Sequence, residues 1–377
     1  MTEIINKGLE GVYFTQSRIC KVDGIKGKLY YRGYTIEELV KKSTYEEICY
    51  LLLYKRLPTL KELKNFKMKL ENKRSLNSDI IYLIQNAGNN DVMHVLRTTI
   101  SAIAEKVNAP DDQSHSLENC INIIAKISSI VATIGRIRAG LNYIEPKKNM
   151  GYAESFLYML NGKIPNKKDI KIMDKMLILH AEHSSNASTF SAIVTASTLS
   201  DIYSAITSAI GTLKGPLHGE ADENALRMLY NIAKPQNTEK YINNALKDKE
   251  KIMGFGHRIY KTYDPRAKII RSTLVEMEKS SNVEIRNITK IALRAEKMMV
   301  EKLGKTHNIW PNVDFFAGPV YRYIGIPLEL FTPLFAVGRS PGWCAHVMEY
   351  WEDNKLIRPL EKYTGAIERK YIKIQDR

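Results

Sequence analysis

Gly254-Phe-Gly-His-Arg-Ile-Tyr-Lys-Thr-Tyr-Asp-Pro-Arg266 is the stretch on which the reading of this chain turns. Glycines on both sides of Phe255 let the main chain approach a ligand closely, and His257 follows at once. Asp264-Pro265 reads as the N-cap and first residue of a helix, which puts Arg266 in its first turn. A cation there opposes the helix dipole and wants an anion beside it.

Outward from this stretch the helical period dominates. Ile285, Ile288, Ile291, Ala295 and Met298 recur at three- and four-residue steps, as do Leu199, Ile202, Ile206, Ile210 and Leu213. Ser43-Thr-Tyr-Glu46 and Thr59-Leu-Lys-Glu62 read as capping boxes, each opening an apolar-striped segment. Loops fall at Glu145-Pro-Lys-Lys-Asn149, Gly162-Lys-Ile-Pro-Asn-Lys-Lys168 and Ala233-Lys-Pro-Gln-Asn237. Only the beginning differs. Val12-Tyr-Phe-Thr15 and Leu29-Tyr-Tyr31 flank turn signals at Asp23-Gly24 and Lys26-Gly27, which predicts one or two short strands. The pattern predicts an all-α, multi-helical fold with a short N-terminal β segment. Its 377 residues suffice for two unequal domains.

Other candidate groups sit at breaks in the helical pattern. His180 and His183 share a face if the run 172–179 is helical, with His180 reading as a core histidine. His218 lies in Lys214-Gly-Pro-Leu-His-Gly219, where the backbone must be irregular. Asn312-Val-Asp-Phe-Phe316 sets Asp314 among apolar neighbours, and burial there would raise its pKa. Gly338-Arg-Ser-Pro-Gly342 reads as Arg339 at the mouth of a helix capped by Ser340 and begun by Pro341. Arg358-Pro359 reads as closing a helix near the end. Taken singly, each also has a structural reading: turn histidine, helix-capping aspartate, surface-paired arginine or solvated lysine. His94, His115, His307 and His346 read as structural. Together, two glycine-flanked imidazoles, one carboxylate in an apolar setting and three arginines beside helix breaks suit a particular chemistry. It needs a base, electrophilic donors and carboxylate clamps.

Composition narrows the alternatives. Hydrophobic residues at 44% and charged residues at 26% argue against wholesale disorder. A net charge of +15 points to anionic ligands, but the lysines are scattered and no nucleic-acid motif is present, which favours small polyanions. The opening residues show no secretory pattern. The most apolar run, 121–134, is broken by Lys126 and followed by Arg136 and Arg138, and so reads as a buried helix rather than a membrane span. Cys20, Cys49, Cys120 and Cys344 form no C-x-x-C pair, consistent with reduced thiols in a cytoplasm and giving no zinc framework.

The chain resembles the citrate synthase family from Gly8 to about Gly365. Residues 254–266 fit the family signature G-[FYAV]-[GA]-H-x-[IV]-x-[RKTQ]-x-x-[DV]-[PS]-R at every defined position. Asp23-Gly24, Tyr31-Arg-Gly-Tyr34, Leu179-His-Ala-Glu-His183, Gly215-Pro-Leu-His-Gly219, Asn312-Val-Asp-Phe315 and Asn354-Lys-Leu-Ile-Arg-Pro359 follow in the family's order, several of them closest to the shorter prokaryotic and archaeal branch. The resemblance implies a cytoplasmic homodimer. Its large domain would comprise residues 1–218 and 320–377, and its small domain 219–319. It also implies condensation of acetyl-CoA with oxaloacetate and hydrolysis of citryl-CoA, with no metal and no bound cofactor.

Under the same resemblance, Asp314 removes the methyl proton, His218 holds the thioester oxygen and His257 polarises the ketone. His183, His257, Arg266 and Arg339 bind the keto acid, and Arg358 reaches across from the partner subunit. Leu217, Gly254, Phe255, Gly256 and Asn312 would line the CoA arm, with Lys261 and Lys305 as phosphate contacts. Closure over the keto acid is expected to complete the CoA site. The chain departs from many relatives in Glu220 and Asp222 after His218, and in Ser184-Ser185 after His183. Three alternatives stay open: a 2-methylcitrate synthase using propionyl-CoA, a non-catalytic ligand-sensing paralogue, and a metalloprotein built on His180, His183, His218 and His257.

Overall fold

A computed structural model describes residues 5–104 and 113–377. Readings that fall on residues 1–4 and on the His115 side chain lie outside the described residues.

Strands β1 (Cys20–Asp23), β2 (Lys28–Tyr31) and β3 (Tyr34–Thr35) form an antiparallel sheet in sequence order, with Asp23 opposite Lys28 and Tyr31 opposite Tyr34. The expected strand at Val12-Tyr-Phe-Thr15 does not form. Those residues have no pairing partner and Tyr13 is almost fully exposed, so β-prone side chains alone do not order the segment.

Helices α1 (Ile36–Lys42), α2 (Tyr45–Tyr54), α3 (Leu60–Asn72), α4 (Ser78–Asn86) and α5 (Val92–Ala102) follow. The capping box before α3 forms as read, Thr59 N–H donating to Glu62 at 2.8 Å. The box before α2 uses Thr44 and Glu47, one residue later than Ser43 and Glu46. Both pairs satisfy the spacing, but the Ser43 amide closes α1 by donating to Leu39, and the Glu46 carboxylate accepts from the Tyr152 amide at 3.0 Å.

Helix α6 (Gln113–Arg138) runs through the core, with its 121–134 stretch buried against other helices. By length and composition it could cross a membrane, but 83% of its apolar window is covered by the protein itself. Helices α7 (Tyr152–Asn161), α8 (Lys167–His180), α9 (Ala187–Ser197) and α10 (Ile202–Leu213) pack around it and around α17 (Phe331–Trp351), which is buried from Phe331 to Val347. Leu199 falls outside α10, left-handed and half exposed, because Asp201 caps the helix after it.

Between α10 and α17 lie α11 (Ala221–Ile232), α12 (Thr238–Lys247), α13 (Pro265–Glu278), α14 (Val283–Met299), the short α15 (Lys305–His307) and α16 (Val313–Tyr323). Helices α11, α13 and α14 all pack on α16. Gly318 makes this possible on one side, since a side chain there would collide with Leu226 of α11.

Two readings near the end of the chain are corrected. Ser340 and Pro341 do not start a helix; they lie inside α17. Arg358-Pro359 does not close one, because α17 ends at Trp351 and residues 354–373 are non-helical and largely exposed.

Candidate active site

The keto-acid end of the site is built where α8 stops. His180 is the last helical residue, and His183 lies past the end rather than on the same helical face. Gly338 and Gly342 are one turn apart on α17, and a Cβ at either would strike this segment: Gly338 against His180, Gly342 against the Ala181 carbonyl and the Glu182 carboxylate. The two glycines are therefore close-approach residues, not punctuation. They bring Arg339 near enough for its Nε to donate to the His180 carbonyl at 2.6 Å, with the guanidinium 4.8 Å from the Phe335 ring centre. Burial lowers the pKa of Arg339, partly offset by the charge of Glu182. Glu182 is itself held by His346 at 2.9 Å.

Asp264 caps α13 as read, accepting from the Arg266 amide at 2.9 Å. The anion that Arg266 requires is the same residue: Nε and Nη2 donate to its two carboxylate oxygens at 3.1 and 2.7 Å. Burial alone would lower the Arg266 pKa, but the charge of Asp264 and these hydrogen bonds reverse the effect and raise it. The pair is almost wholly buried and leaves other guanidinium hydrogens for a ligand.

His183, His257 and Tyr260 face one another. The two imidazoles lie 5.2 Å apart centre to centre, and His183 Nε2 is 3.3 Å from the Tyr260 hydroxyl. His257 Nδ1 accepts from the amides of Ile259 and Tyr260 at 3.0 and 3.1 Å, so the proton of the neutral ring sits on Nε2, free to donate. Burial and then Arg266 lower the His257 pKa to about 4, and burial lowers that of His183 well below the usual histidine value.

His218 has the opposite tautomer. Its Nε2 accepts from the Ser188 amide at 3.3 Å and meets the Ser188 hydroxyl at 2.8 Å, while Trp343 donates to that hydroxyl at 3.1 Å. The proton is thus on Nδ1, and burial followed by Arg339 brings the pKa to about 4. Both imidazoles are neutral donors at neutral pH.

Asp314 occupies the first turn of α16, capped by Asn312, whose Oδ1 accepts from the Asp314 amide at 3.1 Å. Burial raises its pKa to about 6; Arg266 and Arg339 pull it down and Asp264 pushes it up. Asn312 also fixes the glycine loop. Its Nδ2 donates to the Gly256 carbonyl at 3.0 Å, its amide to the Gly254 carbonyl at 2.9 Å, and Phe255 bridges to Pro311. Gly254 and Gly256 both have positive φ, and a Cβ on Gly254 would collide with Phe315.

Around these groups, Leu217 is 98% exposed beside His218, Lys261 is exposed on its loop and Lys305 is exposed at the start of α15. Arg358 is exposed and is not brought to them. The tail residues Asn354 and Ile357 bond to Ser197 at the far end of α9, about 14 Å along that helix from Ser188. Ser188, Trp343, Tyr260 and Phe335 were missed from sequence. Tyr260 lay within the 254–266 motif, whereas nothing local marks Ser188 or Trp343 as partners of His218. Among the described residues no three His, Cys, Asp or Glu side chains converge as a metal would require.

A family model described as citrate synthase, C-terminal domain, matches residues 8–360. The chain belongs to the citrate synthase family. A citrate synthase of Deinococcus radiodurans is 42% identical to it over 99% of both chains. A protein named 2-methylcitrate synthase 1, from Corynebacterium glutamicum, is 41% identical over 99% of this chain and 98% of its own length. Among solved citrate synthase structures, that of Thermoplasma acidophilum in ternary complex with carboxymethyl coenzyme A and oxaloacetate superposes with a TM-score of 0.94 at 38% identity, covering 100% of both chains.

Proposed function

We propose that this chain condenses acetyl-CoA with oxaloacetate and hydrolyses the resulting citryl-CoA to citrate and CoA. The observation that carries the reading is the pairing of two neutral imidazoles of opposite tautomer with one carboxyl group of elevated pKa. Asp314, at about 6, is a strong enough base to take a proton from the methyl of a bound thioester, yet ionised at neutral pH. His218 Nδ1–H donates to the thioester oxygen as negative charge develops there, and His257 Nε2–H donates to the ketone oxygen that the new carbon nucleophile attacks. Both rings are neutral near neutrality, since burial brings their pKa values to about 4.

His183, Arg266 and Arg339 hold the carboxylates of the keto acid. Asp264 and the His180 carbonyl fix the two guanidiniums before the ligand arrives, which lowers the ordering cost of binding. Gly254, Phe255 and Gly256, with Leu217 and Asn312, line the CoA arm, and Lys261 and Lys305 meet its phosphates. The CoA thioester is a substrate, and the chemistry requires neither metal nor bound cofactor.

The working molecule is a cytoplasmic homodimer. The tail supports pairing: Leu356, Leu360, Tyr363, Ile367 and Tyr371 are all more than half exposed along a non-helical segment, a run of apolar side chains that a second copy could cover. Arg358 lies in that segment and completes the partner's site. Residues 219–319 form the small domain, supported by the packing of α11, α13 and α14 on α16, and residues 1–218 with 320–377 form the large one. Closure of the small domain over the keto acid completes the CoA site.

The test is free-thiol release from acetyl-CoA and from propionyl-CoA, each with oxaloacetate, beside an Asp314→Ala control. Faster release from acetyl-CoA, abolished in the control, is expected. A propionyl preference would place the chain with the 2-methylcitrate synthases, and no release from either would overturn the catalytic reading.

A further inference from the structure

The turn between β1 and β2 has no part in the chemistry above, yet it touches the loop that carries His257. The Gly24 carbonyl accepts from the Lys261 amide at 2.9 Å. A Cβ on Gly24 would fall well inside contact distance of the Ile259 carbonyl oxygen, so this position admits no side chain without moving the loop. Gly27, at φ +61°, lies against the same loop further on, where a Cβ would come within 2.8 Å of Thr262 and 3.1 Å of the Tyr263 carbonyl. The turn itself is held by Asp23, whose Oδ1 accepts from the Lys26 amide at 2.9 Å.

Residues 259–261 therefore face two ways. The amides of Ile259 and Tyr260 point inward to His257 Nδ1, and the next amide, that of Lys261, points outward to Gly24. Three successive peptide planes are set together, and the outer anchor limits how the inner two can rotate. If the turn shifts, the two donors leave Nδ1. The imidazole then has no reason to keep its proton on Nε2.

We propose that Gly24 is a positioning residue: it fixes the 259–261 turn so that His257 presents Nε2–H to the keto-acid carbonyl. This rests on the reading of His257 as the carbonyl-polarising donor. The direct readout is the infrared carbonyl stretch of 13C-labelled oxaloacetate bound to the full-length protein, because a donor on that oxygen lowers the frequency. Wild-type protein should lower it relative to free oxaloacetate, and His257→Ala should return it toward the free value. If His257→Ala leaves the frequency unchanged, the reading of His257 fails and the proposal with it.

Given that shift, Gly24→Ala should give an intermediate frequency. Its kcat/KM for oxaloacetate should fall about tenfold or more. Asp23→Ala, which loosens the turn without adding bulk, should move both quantities in the same direction by less, and decides the matter alone if Gly24→Ala does not fold. Ile25→Ala, 84% exposed on the same turn, should match wild type. Wild-type frequency and wild-type kcat/KM in folded Gly24→Ala and Asp23→Ala would overturn the proposal while leaving the role of His257 intact.

Discussion

Asn312 Nδ2 donates to the Gly256 carbonyl at 3.0 Å, tying the glycine loop to the helix that carries Asp314. One side chain thus serves the loop proposed to receive the CoA arm and the base that acts on its acyl group. Asn312→Ala should remove a helix cap, costing about 1 kcal/mol, and free the loop as well. The expected outcome is a lowered Tm and a rise in KM for acetyl-CoA larger than that for oxaloacetate, measured by initial rates of thiol release.

The pH dependence should rest on Asp314. Its pKa is raised to about 6, and the base must be ionised, so kcat/KM should fall tenfold per pH unit once the pH drops below about 6. His218 and His257, at about 4, stay neutral across that limb and should add no second break above it. Rates from pH 4.5 to 8 check this, and Asp314→Asn should remove both limb and activity.

Ser188 holds the acceptor side of His218. Ser188→Ala keeps the amide but loses the hydroxyl at 2.8 Å and leaves the Trp343 N–H without its acceptor. The imidazole should remain bound in place but be less firmly oriented. A fall in kcat of roughly 10- to 100-fold with little change in either KM is expected from steady-state kinetics.

Asp222 offers a stability test. It is buried, its Oδ2 has no hydrogen-bond partner, and burial followed by the charges of Asp314 and Glu223 raises its pKa well above the usual carboxylate range. A folded-state pKa above the unfolded one means the group favours folding below the unfolded value and loses that contribution as pH rises. Asp222→Asn should therefore raise Tm, by an amount that grows from pH 5 to pH 8 in thermal melts.

Much of this was legible in the sequence where the cause is local. Asp264-Pro265 specifies its own cap and first turn, Thr59 and Glu62 their box, and the glycines around Phe255 their positive φ. Readings failed where a distant neighbour decides. Gly338-Arg-Ser-Pro-Gly342 has the composition of a helix start, but the glycines answer to the end of α8, which a linear reading cannot place alongside. The bond between Trp343 and Ser188 spans 155 residues and has no local mark. Between Thr44 and Ser43 the choice fell to the end of α1, a competition the spacing alone does not resolve.

Pro341 sits inside α17 and has no amide hydrogen to offer the preceding turn, so the Val337 carbonyl lacks its ordinary partner. The Tyr45 hydroxyl supplies it, donating to Val337 at 2.8 Å and reaching Gly338 at 3.0 Å, with Ser340 also donating to Val337 at 3.0 Å. The helix that carries Arg339 thus completes its own backbone with a side chain 292 residues earlier in the chain. Ser340 meets part of that need from within α17, and the docking of α2 adds the second, shorter donor. Tyr45→Phe should accordingly slow refolding if that docking belongs to the folding nucleus, whereas faster unfolding alone would place it after the barrier.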